Sequence, residues 1–253
     1  MRISFYGMDA PVEVCQKGMT VLRVLNESLF ARICESLISG KGEEAREPYS
    51  IWGCDGAEVS PSNALLVVAN PFDLPWKQRT AVGRLYSILG EELRADEDLG
   101  REMQDVLLEL ESSIRRLGFQ LNGDYRFGVE WSLESHLRAF SYEVDIPDSA
   151  SLFDNLISFV DFGADIKTDK VIVFVNLKTF LTKNELLELN DRFFFHGMGA
   201  LLLENHESVL HEGIEQEYVV DRDFVEYVVK SESECLSFSQ EGFCSNGFGA
   251  VAF

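Results

Sequence analysis

"KVIVFVNLKTFLTKNELLEL", residues 170–189, is the stretch on which the fold turns. Val171 to Val175 are continuously apolar and mostly β-branched, as in a strand buried on both faces of a parallel sheet. The run reads as the last parallel strand of a nucleotide-binding sheet. It ends at Asn176, where a hydrolase of the phosphate-binding-loop type would carry an acid to hold magnesium. Thr182 and Glu185 have capping-box spacing, which predicts a helix over 183–196 that stops at Gly197. "GALLLEN", 199–205, is a further strand, so strand, helix and strand make a right-handed crossover unit.

Working outward, Leu152, Phe153, Leu156, Ile157 and Val160 predict a helix before this unit, and "ALLVVANP" a second buried strand that ends at Pro71. "RISFYG" and "PVEVC" alternate like a hairpin. Apolar residues at 21, 22, 25, 29, 33 and 37 recur at three and four, which predicts a helix from Val21 to Ile38. "SGKGEEAREP" is a polar loop.

The middle of the chain changes character. From Pro75 to Leu93, residues Val82, Leu85, Tyr86, Leu89 and Leu93 share one helix face. From Glu97 to Leu117, residues Leu99, Met103, Val106, Leu107, Leu110, Ile114 and Leu117 make a narrower stripe. Gly118 is a natural stop, "LNGDYRFG" is turn-rich, and a third amphipathic helix runs through Leu133, Leu137 and Phe140. The expected fold class is α/β: a head with a partly parallel sheet, similar to a phosphate-binding-loop fold without the loop, plus an inserted all-helical leg. The head is discontinuous, 1–74 and 141–228; the leg is 75–140; and 229–253, rich in Ser, Gly and Phe, is a tail expected to be flexible.

The 253-residue chain carries 22 Lys and Arg against 43 Asp and Glu, a net charge of −21 that normally argues against a polyanionic partner. The distribution matters more than the sum. Residues 77–138 hold 9 basic and 12 acidic side chains, so the remaining residues carry a net −18. Any basic surface is therefore local to the middle of the chain. No apolar run is long enough to span a membrane, and the N-terminus lacks a signal-peptide layout. Five cysteines without close pairing read as reduced thiols in a cytoplasm.

The familiar catalytic patterns are missing. GxxxxGK[ST] does not occur; in "SGKGEE" Gly42 follows the lysine, and the segment follows a helix rather than a strand. There is no Cys-x-x-Cys, GxSxG or HExxH. His206 and His211 have weak ligand spacing, and Glu204 with Glu207 reads as surface carboxylates.

The extended layout resembles the type II-A CRISPR adaptation family called Csn-two. The residues that carry the resemblance are "MRISF…PVEV", "LLVVAN" running into "AVGRLYSILGEEL", "LESHLRAFSYEVD" and "VIVFVNLKTFLTKNELLELN…GALLLEN", in order over about 1–228. The resemblance implies an acidic, non-enzymatic homotetrameric ring, with no nucleotide, whose inner surface grips double-stranded DNA ends during spacer acquisition. It also implies a CRISPR integrase and a type II effector nuclease as partners, and calcium near the leg. Candidate DNA-binding residues are Lys77, Arg79, Arg84, Arg101, Arg115, Arg116, Arg126 and Arg138. The bland reading of the same arginines is ion pairing along a solvated helix, for example Arg115 with Glu111. For calcium the segment offers only Asp124, Glu130 and Glu134, few anionic ligands for an ion that takes 6–8 oxygens. The alternatives are a degenerate nucleotide-binding hydrolase and an acidic protein-binding scaffold.

Overall fold

A computed structural model describes residues 1–147, 149–206 and 216–230. The short strands β1 (Arg2–Phe5) and β2 (Val12–Glu13) form the expected antiparallel hairpin, which β3 (Gly18–Val24) follows. Helix α1 is Glu27–Ser39, β4 is Tyr49–Trp52, and the single turn α2 (Pro61–Ala64) leads into β5 (Leu65–Val68). Three helices come next: α3 (Arg79–Ala95), α4 (Glu97–Gly118) and α5 (Leu133–Ala139). Then come α6 (Leu152–Asp165), β6 (Val171–Val175), α7 (Lys183–Phe195), β7 (Gly199–Glu204), β8 (Gln216–Val220) and β9 (Glu226–Lys230).

Six strands make one sheet in the order β5-β6-β7-β3-β8-β9, parallel throughout except for β9 against β8. A separate antiparallel sheet, β2-β1-β4, packs over one face of it with α1. Strand β3 shows how the period of two feeds both cores. Leu22 and Val24 join Ile3, Phe5, Leu29, Ile33 and Tyr49 on the α1 face, while Met19 and Val21 join Leu156, Phe159, Leu189 and Phe193 beneath α6 and α7. Every residue named in these two groups is at most 4 % exposed, which is what a parallel sheet covered on both sides requires.

The helix expected from Val21 is a correction. Val21 and Leu22 belong to β3, and the helix starts only after Asn26, whose side chain accepts from Leu29 N at 3.0 Å as an N-cap. A strand with both faces buried carries few polar positions to break the pattern, here Thr20 and Arg23, so its apolar residues merge with those of α1 into a false three-and-four series. Strand β6 is likewise an interior strand between β5 and β7, not the last parallel one. Strands β4, β8 and β9 were not anticipated. The capping box of α7 forms as expected, with Glu185 N donating to Thr182 Oγ1 at 3.3 Å and Thr182 N to Glu185 Oε2 at 2.7 Å. Gly199 begins β7 where a Cβ would stand 2.4 Å from the Cys15 carbonyl oxygen, so only glycine fits that approach.

Between β5 and α6 the chain is helical. Pro75–Gln78 form an irregular link rather than the first turn of α3, and Trp76 stacks edge-on against Phe159 with centroids 5.1 Å apart. Tyr86 of α3 is buried and donates to Tyr142 O at 2.9 Å, tying α3 to the exit of α5. Helix α4, N-capped by Asp96, has no buried residue: Val106 and Leu110 of its stripe are 62 % and 54 % exposed. Among the described residues no helix is long and apolar enough to cross a membrane. Cys15, Cys34 and Cys54 are free; Cys235, Cys244 and the tail from 231 lie outside the described residues.

Asp161 of α6 takes a bidentate pair of hydrogen bonds from Arg192 of α7 and lies 2.8 Å from His196 Nε2, pinning the two helices together. The Arg192 guanidinium holds the Asp161 carboxyl below its ordinary pKa. Its contribution is therefore present above the unfolded carboxylate range and lost as pH falls through the native, lower value. Asp161→Asn should lower unfolding stability at pH 7 by ~1 kcal/mol, given the partial exposure of the pair. The difference should vanish in strong acid. Equal losses at pH 7 and in strong acid would assign the effect to packing instead of charge.

Candidate nucleic-acid interface

The candidate cations do not form one row. Lys77 in the link, Arg79 at the start of α3 and Arg138 at the end of α5 come together around one cavity of about 510 Å³, whose floor is Tyr86 and whose rim carries Glu143. Lys77 Nζ lies 2.9 Å from Glu143 Oε2, and Arg138 donates to Glu134 Oε1 at 2.7 Å. Arg79 has no carboxylate within 4 Å among the described residues.

A second group sits where α4 ends. Arg115 and Arg126 line a groove of about 630 Å³ with Phe119, Leu121, Tyr125 and Phe127, and Arg116 lies on the same last turn of α4. Arg115 pairs with Glu111 at 3.3 Å, as the solvated-helix reading expects, while Arg116 donates to Ser113 Oγ at 2.9 Å. Arg84 lies 3.6 Å from Glu91 and lines neither cavity. Arg101 is held by Asp98 at 2.7 Å in a recess with Glu92, Asp96 and Glu97, an acidic setting that repels phosphate.

The three carboxylates named for calcium are not gathered. Asp124 stands in the groove beyond α4, Glu134 is engaged by Arg138, and Glu130 is exposed between them. Among the described residues no group of three or more His, Cys, Asp or Glu is placed to hold a metal ion. These three carboxylates by themselves do not make a calcium shell of 6–8 oxygens.

The carboxyl edge of the parallel sheet is where an open α/β fold binds nucleotides. Here the strand-to-helix joint is β3–α1, not the Ser39–Glu44 segment that follows α1. That joint is only Leu25 and Asn26; the Asn26 side chain already occupies an amide of the first turn, and Glu27 adds negative charge there. Asn176 takes a left-handed backbone at the end of β6, and its Oδ1 accepts from Asn205 N at 3.2 Å, a structural use of the position.

Beneath this edge lies a buried charge cluster that the sequence reading missed. Arg23 of β3 contacts Glu217 of β8 at 3.1 Å, and Lys178 N donates to Glu204 Oε1 at 3.0 Å. Glu204, read as a surface acid, is 1 % exposed; its partner in that reading, Glu207, and His211 lie outside the described residues. Burial pushes the Glu204 carboxyl up to about 7, partly offset by Lys178, and burial also raises Glu217 and lowers Lys178. His206 lies 3.8 Å from Glu204 and hydrogen-bonds Thr179. The lone arginine within the apolar run of β3 was the available signal, obscured by reading that run as helix.

Residues 45–224 match the sequence profile of the family described as CRISPR-associated protein (Cas_Csn2). Among solved structures, the crystal structure of the SmcHead bound to the C-winged helix domain of ScpA is similar at 11% sequence identity. The likeness covers 92% of this chain and 97% of that chain, with a TM-score of 0.45. No curated protein matches the chain.

Between about pH 4.5, the ordinary value, and about 7, the native state keeps a proton on Glu204 that the unfolded chain releases. Stability therefore falls as pH rises through that window. Glu204→Gln should flatten the fall and raise the melting temperature at pH 8, by at most ~3 kcal/mol of stability. A variant that melts below the unchanged chain at pH 8 would show that the ionised carboxylate is net stabilising beside Lys178.

Proposed function

Because this chain belongs to the Cas_Csn2 family of CRISPR-associated proteins, a family with a role in CRISPR adaptation, we propose that it is a non-catalytic, sequence-independent binder of double-stranded DNA ends in spacer acquisition. In this reading it works as a homotetrameric ring, with α3–α5 as a helical leg and the integrase and type II effector nuclease of the system as partners.

The observation that carries the reading is α4 itself, whose apolar stripe is largely exposed and whose last turn carries Arg115 and Arg116 off that stripe. No residue of its apolar stripe is fully buried within the chain, Val106 and Leu110 being mostly exposed, and each large side chain buried on association contributes roughly 1.5–3 kcal/mol before the costs of ordering. Self-association along that stripe leaves Arg115 and Arg116, which lie off it, on a free surface. Repeated by symmetry, a few such cations hold a duplex through its phosphates without reading sequence. The acids elsewhere on the chain discourage DNA from lying outside the ring. Arg101, set among carboxylates, contributes least of the eight candidates. Calcium would need ligands from a second subunit or from carbonyls, and no step of binding is assigned to it.

Against a nucleotide hydrolase stands the closed β3–α1 joint, which offers no glycine loop to wrap phosphates. A purely protein-binding scaffold leaves the cationic cavity and the Arg115–Arg116 turn without a use.

Changing Arg115 and Arg116 together to Glu should weaken binding of linear duplex to the same degree on every sequence. It should also flatten the salt dependence, by about one unit of slope for each phosphate that is no longer neutralised. Closed circular DNA should bind poorly to the unchanged protein, since a ring needs an end to thread. Unchanged affinity and slope in the double variant would reduce these arginines to helix-surface ion pairs. Equal binding of circles and linear DNA would end the threading mechanism.

A further inference from the structure

The geometry points to the cavity between α3 and the exit of α5 as a pocket for the terminal phosphate monoester of a DNA end; this rests on the DNA-end reading and gives it a chemical basis. Three cations from three separate places in the chain, Lys77, Arg79 and Arg138, converge on one concavity of about 510 Å³. That is unusual in a chain of net charge −21. The pocket is built on a fixed floor. Tyr86 is 4 % exposed, and its hydroxyl donates to Tyr142 O at 2.9 Å, so the helix that carries Arg79 and the segment after Arg138 hold one relative position. Arg79 has no carboxylate within 4 Å among the described residues, which leaves its guanidinium fork available for an oxyanion.

The choice of a terminal phosphate follows from shape and charge. A phosphodiester inside a strand carries one charge and a chain on both sides, so it touches the rim of a concave site. A phosphate monoester carries a charge of about −2 near neutral pH and presents three free oxygens, so it can enter and meet several donors at once. Val82 and the aromatic floor give the terminal sugar an apolar wall.

Glu143 occupies the same mouth, 2.9 Å from Lys77, and Glu134 holds Arg138 at 2.7 Å. These carboxylates neutralise the cations while the pocket is empty, and an entering phosphate takes over the Lys77 ammonium from Glu143. The pocket thereby favours a doubly charged end over a singly charged backbone phosphate, which competes poorly with Glu143. End preference then comes from a site within each subunit as well as from threading.

The test is an anisotropy titration of the full chain with one blunt duplex bearing 5′-phosphate, 3′-phosphate or hydroxyl ends. A phosphorylated end should bind about tenfold more tightly than a hydroxyl end, the size expected for additional charge-assisted hydrogen bonds. Arg79→Ala and Lys77→Ala should each bring that ratio close to one, and Glu143→Gln should raise the affinity for phosphorylated ends more than for hydroxyl ends. The Arg115→Glu, Arg116→Glu double variant should weaken both kinds of end while leaving the ratio in place. If linear duplex binds the unchanged chain equally well with either end, the pocket assignment is wrong and the DNA-end reading stands. If the ratio exists but survives Arg79→Ala and Lys77→Ala together, the phosphate is held elsewhere and the assignment is equally wrong. If linear duplex of neither kind binds, both readings fall.

Discussion

A parallel sheet has to be covered on both faces, and that requirement arranges this chain. Strands β5, β6, β7, β3 and β8 run side by side and are apolar apart from a few positions such as Thr20, Arg23, Glu204 and Glu217, so helices α6 and α7 close one face. Helix α1 and the small sheet β2-β1-β4 close the other. With both faces sealed, two places stand out among the described residues. One is the carboxyl edge of the sheet, and the other is whatever chain was not needed for covering.

The carboxyl edge is closed by its own residues. Asn26 caps α1, Asn176 accepts from the Asn205 amide, and Arg23, Lys178, Glu204 and Glu217 balance charge below the surface. The chain that covers least is α3–α5: Tyr86 and Leu137 are buried, Ala81 and Leu85 of α3 pack against the core beneath α6 and α7, and most of α4 is exposed. Much of its apolar stripe is exposed, and of its cations Arg115 pairs with Glu111 and Arg138 with Glu134, while Arg79 has no carboxylate within 4 Å among the described residues.

Legibility followed the strength of the local signal. Strand β6, helix α7 with its capping box and the amphipathic α4 could be read directly, because each has a period or a cap that nothing else imitates. Strand β3 could not, since its apolar residues run on into those of α1 with only the Asn26 cap between them. Because β3 and α1 form one unbroken apolar series, the sequence alone conceals the centre of the sheet, the arginine in it and the position of the strand-to-helix joint. Strands β8 and β9 alternate as "EYVVDRDFVEYVV" does, yet with the sheet's centre misplaced they had no neighbour to pair with. Among the site residues, charge counting located the cationic segment but could not divide it. Which arginines face a cavity and which face glutamates depends on where α3 meets α5, a long-range contact made by Tyr86.

A ring built from this chain depends on self-association of the exposed α4 stripe in spite of repulsion between chains of net charge −21. Sedimentation equilibrium over a salt series tests this most directly, from about 0.01 M, where the screening length is ~30 Å, to about 0.15 M, where it is ~8 Å. The expected result is an oligomer that tightens as salt rises, and its collapse to monomer when Val106 and Leu110 are both changed to Glu. A chain that stays monomeric at every ionic strength, or an oligomer indifferent to those two substitutions, would contradict it.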